Sequence, residues 1–486
     1  MKCKKILYSL FLIGINGCCF ANELLIENVT LISPDRHKPL KHANIRIIDD
    51  QIIEVSTSAI LQSKESIKID GTGQFLIPGL MDSHVHVSNM PGVNNSVKAV
   101  ALEKEFLQQQ PRSYLYFGVT QLLDPSQSEQ AIVTFNQSEQ KPDLFHCGAA
   151  PILGGYPTVW SDEATTLKNK RYLILEQNTN IKLPKNYDIT QHTPEAVVAR
   201  MAEDGAICVK VFIEDGFGHN NDWPLISKQL LQRVRAAATK HGLMMMAHAN
   251  AFDMQQIAIA SDVDVIAHGM WNWLDFNRQP AIPKDIRILL DEIINKGMIF
   301  QPTFSVMDGL KSITINDTMA DPLYKKVVST NALNWYQSKA GQWFKEIVLG
   351  DYDNMLLEKI HQNQDRKIFQ GEKVVQYLKE NGLPMVLASD TPSAPLYVSQ
   401  PGYSTYKELQ HLFKAGLNYK EVLAAATINN AKAFGLDDKY GTVEPGKFAN
   451  LLLLNQNPLL TIDAYNEIDK VIVKGKAIDR ESLAVK

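Results

Sequence analysis

Histidines and an aspartate of the kind that bind metals come directly after apolar, strand-like runs of the sequence. His84 and His86 form a His-x-His pair, and because side chains alternate along an extended backbone, both imidazoles would point to the same side. Three further runs end in the same chemistry, at His248, His268 and Asp390. Each residue alone has an ordinary explanation, such as a hydrogen-bonded strand end or a turn cap. Their joint placement at strand ends predicts a divalent-metal centre.

Lys210 is the least ordinary residue near this set. It interrupts the apolar run 207–213, where an unpaired ammonium group is costly to bury. A lysine whose charged end reaches solvent at the end of the strand is the ordinary interpretation. The alternative is that Lys210 takes part in the metal centre.

The elements that would bring these residues together are strands alternating with helices. Thr193 and Pro194 are typical of the start of one such helix, and Gly205 is typical of its end. Eight alternating units predict an α/β fold, a closed (β/α)8 TIM barrel whose functional groups lie at the carboxyl ends of the strands. The eight predicted strands are 76–81, 119–123, 143–146, 207–212, 243–247, 265–267, 298–300 and 385–388.

Short apolar runs and turn residues dominate both ends of the chain, in 22–77 and again in 436–486. Two β-rich ends around a different middle predict one small sheet domain assembled from both. The residues between them, 78–435, are expected to form the catalytic barrel domain.

A stretch of about 80 residues separates the seventh predicted strand from the eighth, far more than an ordinary βα connection. We expect a helical insertion at 305–382. Its aromatic residues would pack in an extra helical layer, and a lid over the barrel mouth is the alternative. These aromatics are Tyr324, Trp335, Tyr336, Trp343 and Phe344.

Composition and charge limit the class of partner. The 486 residues are 45% hydrophobic and 21% charged, which is typical of a packed globular protein. The formal net charge is -4, and no Lys/Arg-rich run occurs outside the first five residues, so no nucleic-acid partner is expected. We expect a small-molecule substrate and a homo-oligomer.

Residues 1–21 have the pattern of a signal peptide. Three lysines within the first five residues precede an apolar run, 6–15, that is too short to span a bilayer permanently. Cleavage after Ala21 predicts an exported, periplasmic or secreted protein without a transmembrane span. Cleavage before Cys18 would instead leave a lipoprotein anchored to the membrane.

Cys147 and Cys208 are the two cysteines outside that segment, and both lie in runs that look like neighbouring strands. No Cys-x-x-Cys spacing occurs, so they are not a metal pair. We expect two buried thiols, although an exported protein can form disulfides.

Several stretches together resemble the amidohydrolase superfamily over nearly the whole chain. The likeness is closest to imidazolonepropionase-like members, including the Xaa-Pro dipeptidase group, and it implies a split β-sandwich domain beside the barrel. The matching stretches are Phe75–His86, Val209–Val211, Met246–Ala249, Ile266–Gly269, Ala388–Thr391 and the tail Gly441–Asn450.

The resemblance further implies a binuclear centre with two divalent metal ions. A carbamate on Lys210 would turn this cation into an anionic bridge between the ions, and zinc is the default metal for such ligands. A metal-bridging hydroxide would attack the substrate, with Asp390 as the proton shuttle. The implied ligands are His84, His86 and Asp390 on the first metal, His248 and His268 on the second, and Lys210 on both.

Such a centre predicts an amidohydrolase that cleaves a C–N bond, amide or peptide-like, in a small substrate such as a dipeptide or an N-acyl amino acid. A mononuclear deaminase is the main alternative. Deaminases of this kind usually have a glutamate shortly after the fifth-strand histidine, whereas no carboxylate follows His248 before Asp253. A cyclic-amide hydrolase, a lactonase and a non-catalytic scaffold are further alternatives. Two departures from the family pattern, Gln51 and Asn450, lie in the predicted sheet domain.

Loops after the third, fifth and sixth predicted strands contain candidate substrate contacts. Aromatic walls with a few polar groups are typical of small-molecule pockets, although packing explains the two tryptophans of the sixth loop equally well. No arginine is placed to bind a substrate carboxylate, so dipeptidase specificity is not assigned. The candidates are His146, Tyr156, Trp160, Asn250, Trp271 and Trp273.

Overall fold

The computed structural model describes residues 22–61, 65–88, 90–94, 96–126, 129–175, 183–217, 221–315, 317–352, 355–393 and 395–486. The expected signal peptide, with both of its candidate cleavage sites, lies outside the described residues. Across the described parts of the chain, no helix combines the length and apolar character that crossing a membrane requires.

The strands of the described chain form two sheets, one from both chain ends and one from the middle. In chain order they are β1 (Glu23–Leu31), β2 (Leu40–Ile48), β3 (Gln51–Ser56), β4 (Ile67–Asp70), β5 (Phe75–Pro78), β6 (Leu80–Asp82), β7 (Val119–Asp124), β8 (Asp143–Ala149), β9 (Cys208–Phe212), β10 (Met244–His248), β11 (Val265–Ala267), β12 (Ile299–Gln301), β13 (Leu451–Leu454), β14 (Ile468–Val473) and β15 (Lys476–Asp479).

The middle sheet is parallel, with the order β12-β11-β10-β9-β8-β7-β6. Its strands coincide with seven of the predicted runs, and strands consecutive in the chain are neighbours in the sheet. This is the arrangement that successive βα units produce. The α/β class and the parallel sheet are therefore confirmed.

The prediction of an eighth strand at 385–388 is wrong, because this segment has no regular strand structure. The amide of Leu387 donates to the carbonyl of Ala425 in a helical turn (3.1 Å) rather than to a neighbouring strand. The segment nevertheless lies beside the continuation of β6, where the amide of Asp390 donates to the carbonyl of His84 (2.7 Å). It therefore delivers Asp390 to the same place that a strand would.

The other sheet has the order β15-β14-β13-β5-β1-β2-β3, with β4 beside β1, so both chain ends contribute to it as predicted. The edge strand β3 also contacts the C-terminal part of the chain, because the Ile52 amide donates to the carbonyl of Lys447 (2.9 Å). That this sheet forms a two-layer β-sandwich stays a prediction.

In the described chain, helices alternate with the strands of the parallel sheet up to β12, and a further series of helices follows that strand. The predicted boundaries of the helix Pro194–Glu203 are confirmed, because the Thr193 hydroxyl accepts a hydrogen bond from the Ala196 amide and Gly205 follows the helix with a φ of 81°. The helices are α1 (Val97–Tyr116), α2 (Glu129–Asn136), α3 (Glu163–Asn169), α4 (Pro194–Glu203), α5 (Lys228–Lys240), α6 (Phe252–Ala260), α7 (Lys284–Lys296), α8 (Phe304–Ile315), α9 (Thr330–Gln337), α10 (Trp343–Gly350), α11 (Leu357–Glu380), α12 (Tyr403–Lys414), α13 (Tyr419–Ala424) and α14 (Asn430–Ala433), with a π-helical turn (Ala425–Asn429) between the last two.

The long connection before Asp390 is helical as predicted and contains α8 to α11. Its aromatic side chains pack on the loop that follows the His-x-His pair. Trp335 Nε1 donates to the carbonyl of Gly92 (3.3 Å), and the Tyr336 hydroxyl donates to the carbonyl of Pro91 (2.9 Å). Tyr324, Trp335 and Tyr336 are all buried, so these three side chains are packing residues. The lid stays a prediction.

Cys147 and Cys208 form a disulfide bond, so the prediction of two buried thiols is wrong. The two residues are direct partners on β8 and β9, with Cα atoms 4.4 Å apart. Partners this close on one face of a sheet can be bridged. The bond lies in an apolar cluster with Met81, Leu123 and Met246.

Candidate metal centre

Asp82 holds the loop after β6, and with it the His-x-His pair. This buried carboxylate accepts hydrogen bonds from the His84 amide (3.2 Å) and from the amide and hydroxyl of Ser389 (3.0 and 2.6 Å). The hydroxyl of Thr405 donates to it as well (2.7 Å). Burial raises the pKa of Asp82 to about 6, while the hydrogen bonds from Ser389 and Thr405 oppose that shift. Asp82 thereby ties the segment of His84 to the segment of Asp390.

Five of the six predicted ligands form one cluster around Asp390. Its Oδ1 atom lies 2.8 Å from His86 Nε2 and 3.4 Å from His84 Nε2, and its Oδ2 atom lies 3.8 Å from His268 Nδ1. Lys210 Nζ lies 3.0 Å from His84 Nε2. The ligand atoms of His84, His268 and Asp390 all lie within 4.8 Å of one another. Residues from distant parts of the chain thus meet at one end of the parallel sheet.

His248 lies at the edge of this cluster and has a carboxylate partner. Its ring centroid is 4.5 Å from that of His268, while its Nε2 atom lies 3.2 Å from Oε2 of Glu214. Asn250 Nδ2 donates to the same carboxylate oxygen (2.9 Å). Glu214 is only 3% exposed. A buried carboxylate therefore holds one ring nitrogen of His248, an arrangement that fixes the orientation of metal-binding histidines.

The buried groups of the cluster are shifted toward their neutral forms. Burial lowers the pKa of His84 and of His268 well below the ordinary histidine value, and the positive charge of Lys210 adds to both shifts. Burial also lowers the pKa of Lys210 to about 8. Neutral imidazole is the form that binds a metal.

His86 and Asp390 behave as an ion pair instead. Burial disfavours the charged form of His86, but hydrogen bonds with Asp124 and Asp390 raise its pKa to about 9. Burial likewise disfavours the charged form of Asp390, yet the hydrogen bond from His86 and the positive charges of His86 and Lys210 hold its pKa well below the usual aspartate value. Asp390 is therefore an ionised acceptor at neutral pH.

This donor set fits a divalent metal ion. Imidazole nitrogen and carboxylate oxygen are typical zinc ligands, and tetrahedral ligands about 2.1 Å from an ion lie about 3.4 Å from one another. Asp390 Oδ1 lies 3.4 Å from His84 Nε2, which matches that separation, and the other carboxylate oxygen, Oδ2, lies 3.8 Å from His268 Nδ1.

The sequence analysis missed four residues that contact the histidines: Ser126, Glu214, Gln301 and Thr303. A sequence signal existed for two of these four, because Gln301 ends β12 and Glu214 continues the alternation Lys210, Phe212, Glu214 beyond β9. The three contacts with ring nitrogens are Gln301 Oε1 with His84 Nδ1 (2.9 Å), Ser126 Oγ with His86 Nδ1 (2.9 Å) and Thr303 Oγ1 with His268 Nδ1 (3.1 Å).

Strained backbone marks the same region. His268, Thr303 and Asp390 have φ angles of 82°, 49° and 55°, in the left-handed region that non-glycine residues rarely adopt. Such conformations persist where the surroundings enforce them, and they concentrate at functional sites.

Helix α12 contacts two of the segments that carry the cluster. Glu408 is fully buried and accepts hydrogen bonds from the amides of Phe304 (3.0 Å) and Ser305 (2.7 Å) at the start of α8, just after Thr303. Burial raises the pKa of Glu408 to about 8. One turn earlier on α12, Thr405 donates to Asp82. One helix therefore connects both sides of the cluster.

Three of the predicted substrate contacts lie beside the cluster. The Tyr156 ring is 4.5 Å from the ring of His248, and Trp160 packs on Tyr156 at 5.3 Å. Asn250 bonds to Glu214 next to His248. Burial and the charges of Asp390 and Glu214 raise the pKa of Tyr156, so its hydroxyl stays protonated and can donate a hydrogen bond.

The other three candidates lie elsewhere. His146 precedes Cys147, whose side chain lies in the apolar cluster inside the sheet, so alternation turns His146 to the opposite face. Trp271 is buried against Phe304, with ring centroids 5.5 Å apart, and Trp273 is buried with Nε1 donating to the carbonyl of Met270 (3.1 Å). The described contacts of these tryptophans are packing contacts.

Comparisons with known proteins agree with this fold. Residues 361–478 match the family model described as "Amidohydrolase family". An imidazolonepropionase of Christiangramia forsetii is 22% identical over 495 residues, which cover 93% of this chain and 96% of that protein. A 5-methylthioadenosine/S-adenosylhomocysteine deaminase of Teredinibacter turnerae is 26% identical over 110 residues, which cover 22% of this chain and only 25% of the deaminase.

Among solved structures, a Xaa-Pro dipeptidase with bound methionine in its active site has the same fold, with a TM-score of 0.62 and 19% identity over 94% of this chain and all of that one. The parallel α/β fold and these matches together define a hydrolase. More specifically, these matches support an amidohydrolase-superfamily member, with the family model itself matching residues 361–478.

Proposed function

We propose that this hydrolase cleaves a carbon–nitrogen bond of amide or peptide type in a small substrate such as a dipeptide or an N-acyl amino acid. The observation that carries the proposal is the buried cluster of imidazoles around the carboxylate of Asp390. The similarity to an imidazolonepropionase along nearly the whole chain and the shared fold with a Xaa-Pro dipeptidase support it.

We further propose that the cluster holds two divalent ions, with zinc as the default choice for these donors. When bound, such ions activate water and polarise the scissile carbonyl group. Lys210 would carry a carbamate and help to hold the ions, since its side chain is buried next to His84. The first ion would be held by His84, His86 and Asp390, with His86 giving up its proton on binding, and the second by His248 and His268.

The chain's own groups would move the proton and hold the substrate. Asp390, ionised at neutral pH, would take the proton of the attacking water and deliver it to the leaving nitrogen. The protonated hydroxyl of Tyr156 and the amide of Asn250, both beside His248, would donate hydrogen bonds to the substrate.

A deaminase is the second candidate, because one observation favours it. The sequence has no glutamate soon after His248, but Glu214 from the end of another strand lies 3.2 Å from His248 Nε2. In that function Glu214 would transfer the proton, on a single metal ion.

One experiment separates the two functions. Protein purified without added metal is analysed for metal content and then incubated with dipeptides, N-acyl amino acids and cyclic amidines. We expect about two ions per chain and release of free amino acid, with Asp390→Asn as the inactive control. One ion and release of ammonia from amidines would favour the deaminase, and a metal-free, inactive protein would contradict both.

We also propose that the protein is exported after removal of residues 1–21 and that its sheet from both chain ends is a β-sandwich domain, formed by 22–77 and 436–486 beside a barrel at 78–435. The disulfide between Cys147 and Cys208 supports export, because such bonds persist in oxidising compartments. Cell fractionation and mass spectrometry of the mature N-terminus test the cleavage site, including a lipid on Cys18.

A further inference from the structure

Four aromatic rings from two loops form one compact group beside the centre. We call Tyr156, Trp160, Phe217 and Trp223 the aromatic cluster. Every pair of these rings has centroids between 5.3 and 6.3 Å apart. The first two residues follow β8 and the last two follow β9, so the cluster stands at the carboxyl ends of these strands, where functional groups of such folds lie.

Contacts between and within the two loops hold the cluster in place. Gly155 lies so close to the neighbouring loop that a Cβ atom there would be 2.6 Å from the carbonyl oxygen of Pro224. The Trp223 amide donates to the carbonyl of Asp215 (2.9 Å), and the Thr158 hydroxyl donates to the carbonyl of Ile152 (2.7 Å). A preformed apolar surface loses little conformational freedom when it binds a ligand.

The cluster is also exposed, unlike an ordinary packed core. Trp160 is 65% exposed and Phe217 is 38% exposed, although large apolar side chains are usually buried. The same Phe217 ring lies 6.3 Å from the ring of His248, and Tyr156 lies 4.5 Å from it. An exposed apolar surface therefore begins at a proposed metal ligand and extends outward.

We propose that the aromatic cluster is the specificity subsite for a large apolar or aromatic group attached next to the scissile amide. This inference rests on the proposed function and names its substrate class. A group bonded to a carbonyl or nitrogen at the centre would extend along Phe217 and Trp160, and its burial would remove apolar surface of both partners from water. Aromatic pairs at such distances contribute attraction beyond that burial.

Matched substrates test the subsite. N-Acetyl-L-phenylalanine and phenylacetyl-L-alanine, which place the ring on either side of the amide, are compared with N-acetyl-L-alanine. We expect at least one aromatic substrate to be favoured about 10-fold or more in kcat/KM, mainly through a lower KM. Replacing Trp160→Ala and Phe217→Ala together should reduce that preference to about 3-fold or less.

The control is Phe369→Ala on α11, because Phe369 is 41% exposed, similar to Phe217. This variant should keep the full preference. Equal kcat/KM for all three substrates in the wild-type protein, or an unchanged preference in the double variant, would overturn the subsite.

Failure of the proposed function gives a different result. If no amide is hydrolysed, calorimetric titration of chelator-treated protein with the same three ligands tests whether the subsite exists. Tighter binding of an aromatic ligand that is lost in the double variant supports the subsite, and equal binding of all three contradicts it.

Discussion

Two layers inside the parallel sheet differ in chemistry although the same strands build them. On β9, Cys208 lies in the apolar cluster and Lys210, two residues further, lies in the metal cluster; on β10, Met246 and His248 have the same relation. Side chains two residues apart share one face of a strand. A shift of two positions therefore separates an apolar layer from an ionisable one.

The comparison indicates that the apolar layer and the ionisable layer have different roles. The apolar layer removes side chains from water and contributes to the free energy of folding. The ionisable layer buries charged groups, and burial disfavours the charged forms of both Asp390 and His86. This layer therefore contributes chemistry at a cost in stability. Changes in the apolar layer should reduce stability and leave function unchanged. Changes in the ionisable layer should reduce function and leave stability nearly unchanged.

The largest expected effect is on activity, from Asp390→Asn in the ionisable layer. The amide cannot accept the proton, so we expect kcat to fall by a factor of about 10³, within the range for general acid–base groups. The melting temperature should stay within a few degrees of the wild type. Steady-state kinetics and calorimetry measure both. Asp365→Asn, at an exposed ion pair with Lys311, is the control, and full activity of Asp390→Asn would contradict this difference in roles.

The disulfide of the apolar layer should have the largest effect on stability. Replacing Cys147 and Cys208 together by serine removes a link between residues 61 positions apart, which in the chain-entropy account lowers the free energy of unfolding by about 4 kcal/mol. Denaturant unfolding measures the loss. Metal content of the folded fraction should be unchanged. A stable double variant without bound metal would show that the two layers are not separable.

A smaller loss of stability is expected from Met246→Ala. Truncating this fully buried side chain should lower the free energy of unfolding by about 3 kcal/mol, through lost burial and the cavity it leaves. Met244→Ala, two residues earlier on β10 and only partly buried, should cost less. Urea unfolding of both variants tests the order. Equal losses would place Met246 outside the tightly packed layer.

The sequence predicted well those features that depend on neighbouring residues. Apolar runs placed seven strands, and Thr193 placed the start of α4, because burial and capping act locally. It failed where partners come from distant parts of the chain. The pairing of Cys147 with Cys208 depends on the register between two strands, and the irregular segment 385–388 depends on a helical turn that satisfies its backbone.

The site shows the same limit. Ligands at strand ends could be proposed because the position of a strand end is local information. The partner of each ligand is not local: Gln301 contacts His84 from 217 positions away, and Glu214 contacts His248 from 34 positions away. The alternation beyond β9 gave a signal for Glu214, but only the fold shows that its carboxylate meets an imidazole.

The smallest expected effect is that of Glu214→Gln, which tests whether the contact with His248 belongs to the ionisable layer. Because a carboxylate that orients a metal-binding histidine typically contributes a factor of about 10 to 100 in metal affinity, we expect a loss of that size with little change in stability. Titration against a competing chelator measures affinity. Glu195→Gln, at the exposed ion pair with Arg233, is the control. Unchanged affinity together with abolished ammonia release would instead assign Glu214 to proton transfer, as the deaminase candidate requires.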